Sequence, residues 1–394
     1  MVNRVILIVL DSVGIGHLPD AHLYKDEGSH TLGHIAKNYP GFHIPNLMSL
    51  GLGHIEDSQL NPFQNTPLGS YGRAMEKSAG KDTTTGHWEI AGTVLDNPFP
   101  TFSDGFPEAF IKDFEKAIGT KTIGNYSASG TEIIMQLGDE HIKTGYPIVY
   151  TSADSVFQIA MHEDIFPIEK QYEICETARK MLTGDLAVGR VIARPFEGNS
   201  GNYTRTSRRK DFALLPSDNV LTALQNEGKE VVGIGKIFDI FAGKSISKSI
   251  KTKTNLEGIF ATIDGIKSGE GDIIFTNLVD FDMLYGHRRD VEGYAKCLEE
   301  FDRFLPEIME SLSEGDWLII TADHGNDPTW HGTDHTREYI PVLNYGYGIK
   351  KGVNIGTRNS FADIAVSVAE GLGVNYKNKN AESFYRDIKI NRSS

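Results

Sequence analysis

Three short apolar runs in this chain each end on an acid. Val5 to Leu10 stops at Asp11, Ile273 to Val279 stops at Asp280-Phe-Asp282, and Trp317 to Thr321 leads through Ala322 to Asp323-His324. Val5 to Leu10 and Trp317 to Ile320 are apolar at every position, rather than at alternate ones, which is the pattern of strands buried on both faces. Such strands belong to a parallel sheet covered by helices, so the fold is constrained to α/β. Ligands in that class sit outside the carboxyl ends of the strands, and all three acids fall on that edge. Histidines stand nearby: His287 five residues after Asp282, His324 beside Asp323, and a further Asp-His pair at Asp334-His335. Asp/His mixtures are what borderline-hard divalent metals take. One Asp-His pair is an ordinary cap or turn; three clusters after three strand-like runs point to a metal centre. Asp11, Asp282, His287, Asp323, His324 and His335 make six ligands, enough for two ions with positions left open for a nucleophile and a phosphate. Two cations about 3.5–4 Å apart clamp the attacking and leaving oxygens of an in-line phosphoryl transfer. Because Asp282 and His287 are five apart, they do not share an α-helical face as an i,i+4 pair does; a strand-to-helix loop is expected to bring them together.

Bulk properties narrow the partners. The 394 residues suffice for two or three domains. The formal charge of −14 argues against a nucleic-acid or anionic-membrane partner, while leaving room for a phosphorylated small molecule where metals and arginines reverse the local field. Val5 to Leu10 is too short to span a bilayer, and no small-residue cleavage site follows it. Two cysteines, Cys175 and Cys297, fit a reducing cytoplasm without a disulfide framework.

Several familiar motifs fail at one or two positions. Gly14-Ile-Gly16 lacks the third glycine of a dinucleotide fingerprint, since Pro19 stands there; Gly80-Lys81 lacks the P-loop's earlier glycine (Met75) and following hydroxyl (Asp82). His162-Glu163 has Phe166 where a metalloprotease helix needs its second histidine. What remains around Lys81 to Glu89 is a hydroxyl-rich turn. Between about Asn97 and Pro216 the pattern changes to Phe/Pro/Gly-rich segments with helix-like pieces at Glu108 to Ala117 and Thr131 to Ile142. This stretch holds potential anion-binding groups, among them Ser152-Ala-Asp154-Ser, Arg190 and Arg205, and the two arginines sit at strand ends and loops of the kind that present guanidinium forks to phosphate. We read residues 98–216 as an inserted α+β cap domain, and 1–97 with 217–394 as a discontinuous metal-binding core. After Pro216 the β–α alternation returns. Asp218 is the expected N-cap of a helix from Val220; a long amphipathic helix from Val291 is expected to break or restart at Pro306; and Ser360 with Asp363 suggests a capping-box helix start.

The segments Asp11-Ser-Val-Gly-Ile-Gly, Gly80-Lys-Asp-Thr83-Thr-Thr-Gly-His-Trp-Glu, Asp280-Phe-Asp282 with Gly286-His287-Arg-Arg-Asp, and Thr321-Ala-Asp323-His324-Gly-Asn-Asp-Pro with Gly332-Thr-Asp-His335-Thr-Arg-Glu together resemble the bacterial phosphopentomutase family of alkaline-phosphatase-like metalloenzymes. The likeness runs over essentially the whole chain. It implies an alkaline-phosphatase-like core with a largely parallel sheet flanked by helices, plus the cap. It implies Thr83 as the nucleophile, carried as phosphothreonine. Asp11, Asp323, His324 and the Thr83 oxygen would hold one metal and Asp282, His287 and His335 the other, with manganese the usual ion. A sugar bisphosphate would prime the enzyme, and ribose or 2-deoxyribose phosphates would be its substrates. Ser152, Asp154, Arg190, Arg205 and Lys236 match positions the family uses for substrate contact. A cap hinged near Asn97 and Pro216 is expected to exclude water and so suppress hydrolysis. A metal-dependent phosphatase on the same core, and a non-catalytic metal- or sugar-phosphate-binding protein, are the alternative readings.

Overall fold

The computed structural model describes residues 2–62 and 64–391. The chain divides into two compact units, Met1–Pro98 with Pro216–Ser394, and Phe99–Leu215. In chain order the described strands are β1 (Arg4–Leu10), β2 (Ser70–Ala74), β3 (Ile123–Ser127), β4 (Ile148–Thr151), β5 (Val156–His162), β6 (Arg190–Asn199), β7 (Asn202–Arg205), β8 (Lys210–Ala213), β9 (Val231–Ile234), β10 (Lys248–Ile250), β11 (Ile273–Leu278), β12 (Asp316–Thr321), β13 (Ile340–Tyr345) and β14 (Asn354–Arg358).

The discontinuous unit is built on an eight-stranded sheet in the order β10-β9-β11-β1-β12-β13-β2-β14. The three acid-ended runs are its centre: β1 lies parallel between β11 and β12, and all three are buried along their whole length. Register aligns their ends, with Leu10 opposite Leu278 and Val9 opposite Thr321, so the residues that follow emerge on one edge. Only β13 runs against the rest, pairing antiparallel with β12 and β2. At the opposite edge a buried ion pair, Arg4 Nη2 to Asp316 Oδ2 at 2.6 Å, ties the starts of β1 and β12. Helices flank the sheet. Asn255–Ser268 and Val291–Ser311 pack on each other, while Ala362–Leu372 packs with Thr83–Ile90 and Val220–Asn226.

Three local expectations need correction. The helix at Val291–Ser311 runs unbroken through Pro306. Proline deprives the carbonyl four residues back of its partner, and here Asn46 Nδ2 donates to that carbonyl, Asp302 O, at 2.9 Å. The N-cap before Val220 is Asn219, whose Oδ1 accepts from Leu221 N and Thr222 N; Asp218 instead pairs with Lys244. Ser360 Oγ does accept from Ala362 N, but Asp363 turns to Arg358 and Glu382 N, so no reciprocal capping box forms.

The contiguous unit has its own six-stranded sheet. Five strands follow the order β3-β4-β5-β6-β7, and β8 pairs with β6 off that path. Its core gathers Phe106, Phe110 and Phe114 edge-on around Phe157, with ring centroids 4.7, 5.5 and 5.4 Å away. Among the described residues no helix is long and apolar enough to cross a membrane.

Candidate active site

All six candidate metal ligands converge on the carboxyl edge of the eight-stranded sheet. His324 Nε2 stands 3.4 Å from Asp11 Oδ1 and 3.5 Å from Asp323 Oδ2. His287 Nε2 lies 3.1 Å from Asp282 Oδ2, His335 Nε2 lies 3.4 Å from Asp282 Oδ1, and the two Nε2 atoms are 3.2 Å apart. Ligand-type atoms of Asp282, His287 and His335, and of Asp11, Asp282 and His324, fall within 4.8 Å of one another. The five-residue spacing of Asp282 and His287 is met by a π-helical turn, Phe281–Gly286, rather than by the expected loop. Its wider turn closes an i→i+5 hydrogen bond, His287 N to Asp282 O at 3.1 Å, which stacks the two side chains.

The donor set fits divalent cations. Asp11 Oδ1 and Asp323 Oδ2 are buried and accept no hydrogen bond. Such orphaned oxygens are costly unless a cation sits against them. Their partner oxygens are fixed, Asp11 Oδ2 by Asn277 Nδ2 at 2.8 Å and Asp323 Oδ1 by Ser12 N at 3.0 Å. His324 Nδ1 faces Gly325 O at 3.1 Å and His287 Nδ1 faces Thr333 O at 2.6 Å, so each Nδ1 carries the proton and each Nε2 presents a lone pair. Burial and the neighbouring Asp323 push the Asp11 carboxyl up. Burial acts to lower the His324 imidazole, but Asp323 and Asp11 carry it well above its usual range. Burial acts to raise Asp282, yet hydrogen bonds from His287 and His335 hold it far below the usual carboxylate range. Crowded carboxylates facing the Nε2 atoms of the imidazoles form a site for positive charge.

The threonine segment is delivered to this centre by a helix start. Asp82 caps Thr83–Ile90, its Oδ1 accepting from Thr85 N at 3.1 Å. Thr83 thereby becomes the first helical residue, and its Oγ1 lies 3.2 Å from His324 Nε2. Gly86 lets this helix approach the end of β12: an added β-carbon there would lie 2.1 Å from Asp323 O. His87 Nδ1 bonds Thr83 O at 2.9 Å and also stands 3.0 Å from Asp323 Oδ2; the geometry directs its hydrogen to the carbonyl, which leaves Oδ2 free.

A family model described as the metalloenzyme superfamily matches residues 3–376. A phosphopentomutase of Acetivibrio thermocellus is 60% identical over 388 residues, covering 98% of this chain and all of the relative. One of Carboxydothermus hydrogenoformans is 57% identical over 94% of this chain and 96% of its own. The chain belongs to the phosphopentomutase family of metalloenzymes. A solved phosphoglycerate mutase of Leishmania mexicana shares the fold at a TM-score of 0.50 and 13% identity, covering 99% of this chain and 98% of that one. Divalent-metal use comes with the family and suits the donor set just described.

The other proposed family positions fall in both units. Lys236 follows β9 on the edge that carries the metal ligands and is exposed. In the contiguous unit Ser152 and Asp154 lie in the β4–β5 turn and Arg190 opens β6, with Arg190 Nη2 4.0 Å from Asp154 Oδ2. Arg205 ends β7 opposite Phe196, six residues further along β6 than Arg190. Its guanidinium comes against Tyr150 Oη and the start of the helix Gly130–Thr144, where Gly130 leaves room for both.

Sequence reasoning passed over the residues that hold the ligands. Arg337, wholly enclosed, donates to Glu76 Oε2 at 2.8 Å, Ser78 O at 2.9 Å and Gly80 O at 2.5 Å, which sets the chain leading into the threonine segment. Lys81 Nζ pairs with Asp26 Oδ2 at 2.9 Å and Asp334 Oδ2 at 3.1 Å. Asn277, two residues from the end of an apolar run, gave a signal in being polar there at all.

Proposed function

We propose that this protein interconverts ribose 1-phosphate and ribose 5-phosphate, and the 2-deoxy analogues, through a phosphothreonine at Thr83 and a 1,5-bisphosphate, with two Mn2+ ions as cofactors. The observation that carries this is Thr83 Oγ1, 3.2 Å from His324 Nε2 beside six convergent aspartate and histidine side chains. Asp11, Asp323 and His324 with the Thr83 oxygen are proposed to hold one ion, and Asp282, His287 and His335 the other. When bound, the cations neutralise phosphate charge and lower the pKa of the threonine hydroxyl. The helix start beneath Thr83 adds a favourable field for the anionic phosphoryl group. In the proposed cycle phospho-Thr83 gives its phosphoryl group to the free sugar hydroxyl. The hydroxyl proton leaves, the Thr83 oxygen is released, and a 1,5-bisphosphate results. After the sugar turns, the Thr83 oxygen takes the other phosphoryl group and the proton returns to the sugar oxygen left behind. No phosphate is released and the phosphoenzyme is regenerated, ready for the next substrate. A sugar bisphosphate is the proposed primer.

Ser152, Asp154, Arg190, Arg205 and Lys236 are proposed as substrate contacts, the cations for phosphate and Ser152 and Asp154 for sugar hydroxyls. A cytoplasmic setting is supported by two buried free cysteines, Cys175 and Cys297. The test is intact-protein mass analysis after incubation with ribose 1,5-bisphosphate and Mn2+, with products followed in time. One added phosphoryl group mapping to Thr83, absent from Thr83→Ala, and ribose 5-phosphate formed from ribose 1-phosphate are expected. Stoichiometric release of inorganic phosphate in place of ribose 5-phosphate would make the protein a phosphatase instead.

A further inference from the structure

The loop that carries His335 has little of its own to hold it. His331, Gly332, Thr333 and Asp334 are all exposed, so burial lends these four residues little rigidity, although the His335 side chain that follows is only 13% exposed. A metal ligand nonetheless needs placing to within about 0.5 Å. Lys81 Nζ pairs with the Asp334 carboxylate at 3.1 Å and His331 Nε2 meets Lys25 O at 2.9 Å, but the loop's backbone carbonyls are gathered by one side chain. Arg289 Nε donates to Gly332 O at 2.7 Å, and Nη2 donates to Asp334 O at 2.8 Å and His331 O at 3.4 Å. Its Nη1 donates to Asp327 O at 2.9 Å, Gly286 O at 3.2 Å and Asn326 Oδ1 at 2.5 Å.

These bonds reach the supports of all three ligands in one group. Asn326, whose amide oxygen Arg289 holds, donates through Nδ2 to Asp282 Oδ1 at 2.7 Å. His287 fixes its ring on Thr333 O, a carbonyl within the loop that Arg289 clamps on either side. His335 follows directly on Asp334, whose carbonyl is also held. Arg289 itself has φ +56, a left-handed conformation uncommon for a residue with a β-carbon and one that persists where surrounding bonds over-determine it. Asp11 and Asp323 are positioned by Asn277 and Ser12, neither of them a partner of Arg289.

We propose that Arg289 is the positioning residue of the Asp282–His287–His335 metal site and of that site alone. It fixes the His335 loop against the π-helical turn by filling three loop carbonyls with one planar fork. A lysine cannot reproduce this, because its single ammonium is a point donor. The inference rests on the two-metal reading of the proposed function.

The test is equilibrium titration of metal-free protein with Mn2+, counting bound ions by the loss of the free Mn2+ electron paramagnetic resonance signal. Wild type should bind two equivalents. Arg289→Ala should keep one equivalent at wild-type affinity and bind the other about 10- to 100-fold more weakly, the usual cost of losing a ligand's outer support. Arg289→Lys should share the defect, and it decides the matter by the same criterion if the alanine variant does not fold. Two equivalents at unchanged affinity, or equal weakening of both, would overturn the assignment. A single equivalent in wild type would overturn the two-metal reading first, and is visible without any variant.

Discussion

Gly86→Ala separates nucleophile placement from metal binding. The new β-carbon would stand 2.1 Å from Asp323 O and 2.8 Å from Asp323 C. Side-chain carbons do not approach closer than 3.0 Å, so the helix start must back away by about 0.9 Å, the difference between 3.0 and 2.1. Alanine is favoured over glycine in a helix by about 1 kcal/mol, whereas overpacking costs about 1–3 kcal/mol, so the net loss of stability should be no more than about 2 kcal/mol. Function should suffer far more. A shift of this size carries Thr83 Oγ1 away from its 3.2 Å approach to His324 Nε2, and a misplacement near 1 Å costs about 100-fold in rate. The variant should therefore melt within several degrees of wild type, bind Mn2+ through the six side chains, and be phosphorylated and turn over about 100-fold more slowly. The assay pairs Mn2+ titration with single-turnover transfer from ribose 1,5-bisphosphate. Wild-type transfer rates in Gly86→Ala would show that the closeness of this helix to β12 has no part in placing the nucleophile.

Glu338 gives a pH signature. Burial first, and then Asp327, push its carboxyl up to about 7, against donors from Gly16 N, Thr31 N and two threonine hydroxyls. The folded state then binds more protons than the unfolded one between pH 4.5 and about 7, so this group's contribution to stability falls as pH rises through that window, by about 3 kcal/mol. Urea midpoints of metal-free wild type and Glu338→Gln at pH 5 and pH 8 should differ by that amount between the two pH values; a constant offset would count against the shift. In the contiguous unit Phe157→Ala removes the ring at the centre of the Phe106–Phe110–Phe114 cluster and should cost about 3–5 kcal/mol in chemical denaturation. Saturating Mn2+ at 100 times its dissociation constant should stabilise the protein by about 2.7 kcal/mol per site, visible as a rise in Tm that chelation reverses.

The centre of the fold was legible because β1, β11 and β12 are built on continuous apolar runs, Val5 to Leu10, Ile273 to Phe275 and Trp317 to Ile320, which burial on both faces explains. The strands flanking them on the other side were not. β2 reads Ser-Tyr-Gly-Arg-Ala and β14 reads Asn-Ile-Gly-Thr-Arg, so neither carries the expected pattern, and their place is set by pairing with β13 and with each other. Chemically distinctive side chains could be picked out singly, and the structure brings the six candidates to one edge of the sheet. What the residues could not announce was the geometry between them. The π-helical turn puts Asp282 and His287 in line at a spacing that α-helical arithmetic rejects, and Asn46 rescues a proline-broken carbonyl from 256 positions away. Both depend on partners that a local window of sequence does not contain.

The position of β1 has a consequence for biosynthesis. Among the described strands it comes earliest in the chain, yet its two neighbours begin at Ile273 and Asp316. At about 5–20 residues per second, roughly 300 further residues take about 15–60 s to emerge. For that interval the nascent chain carries a seven-residue strand, apolar from Val5 to Leu10, with both edges bare, a template for pairing with any other growing chain. Residues 99–215, with a sheet and core of their own, emerge whole during the wait. The central sheet therefore closes only after the chain has passed Thr321, however early its middle strand is made.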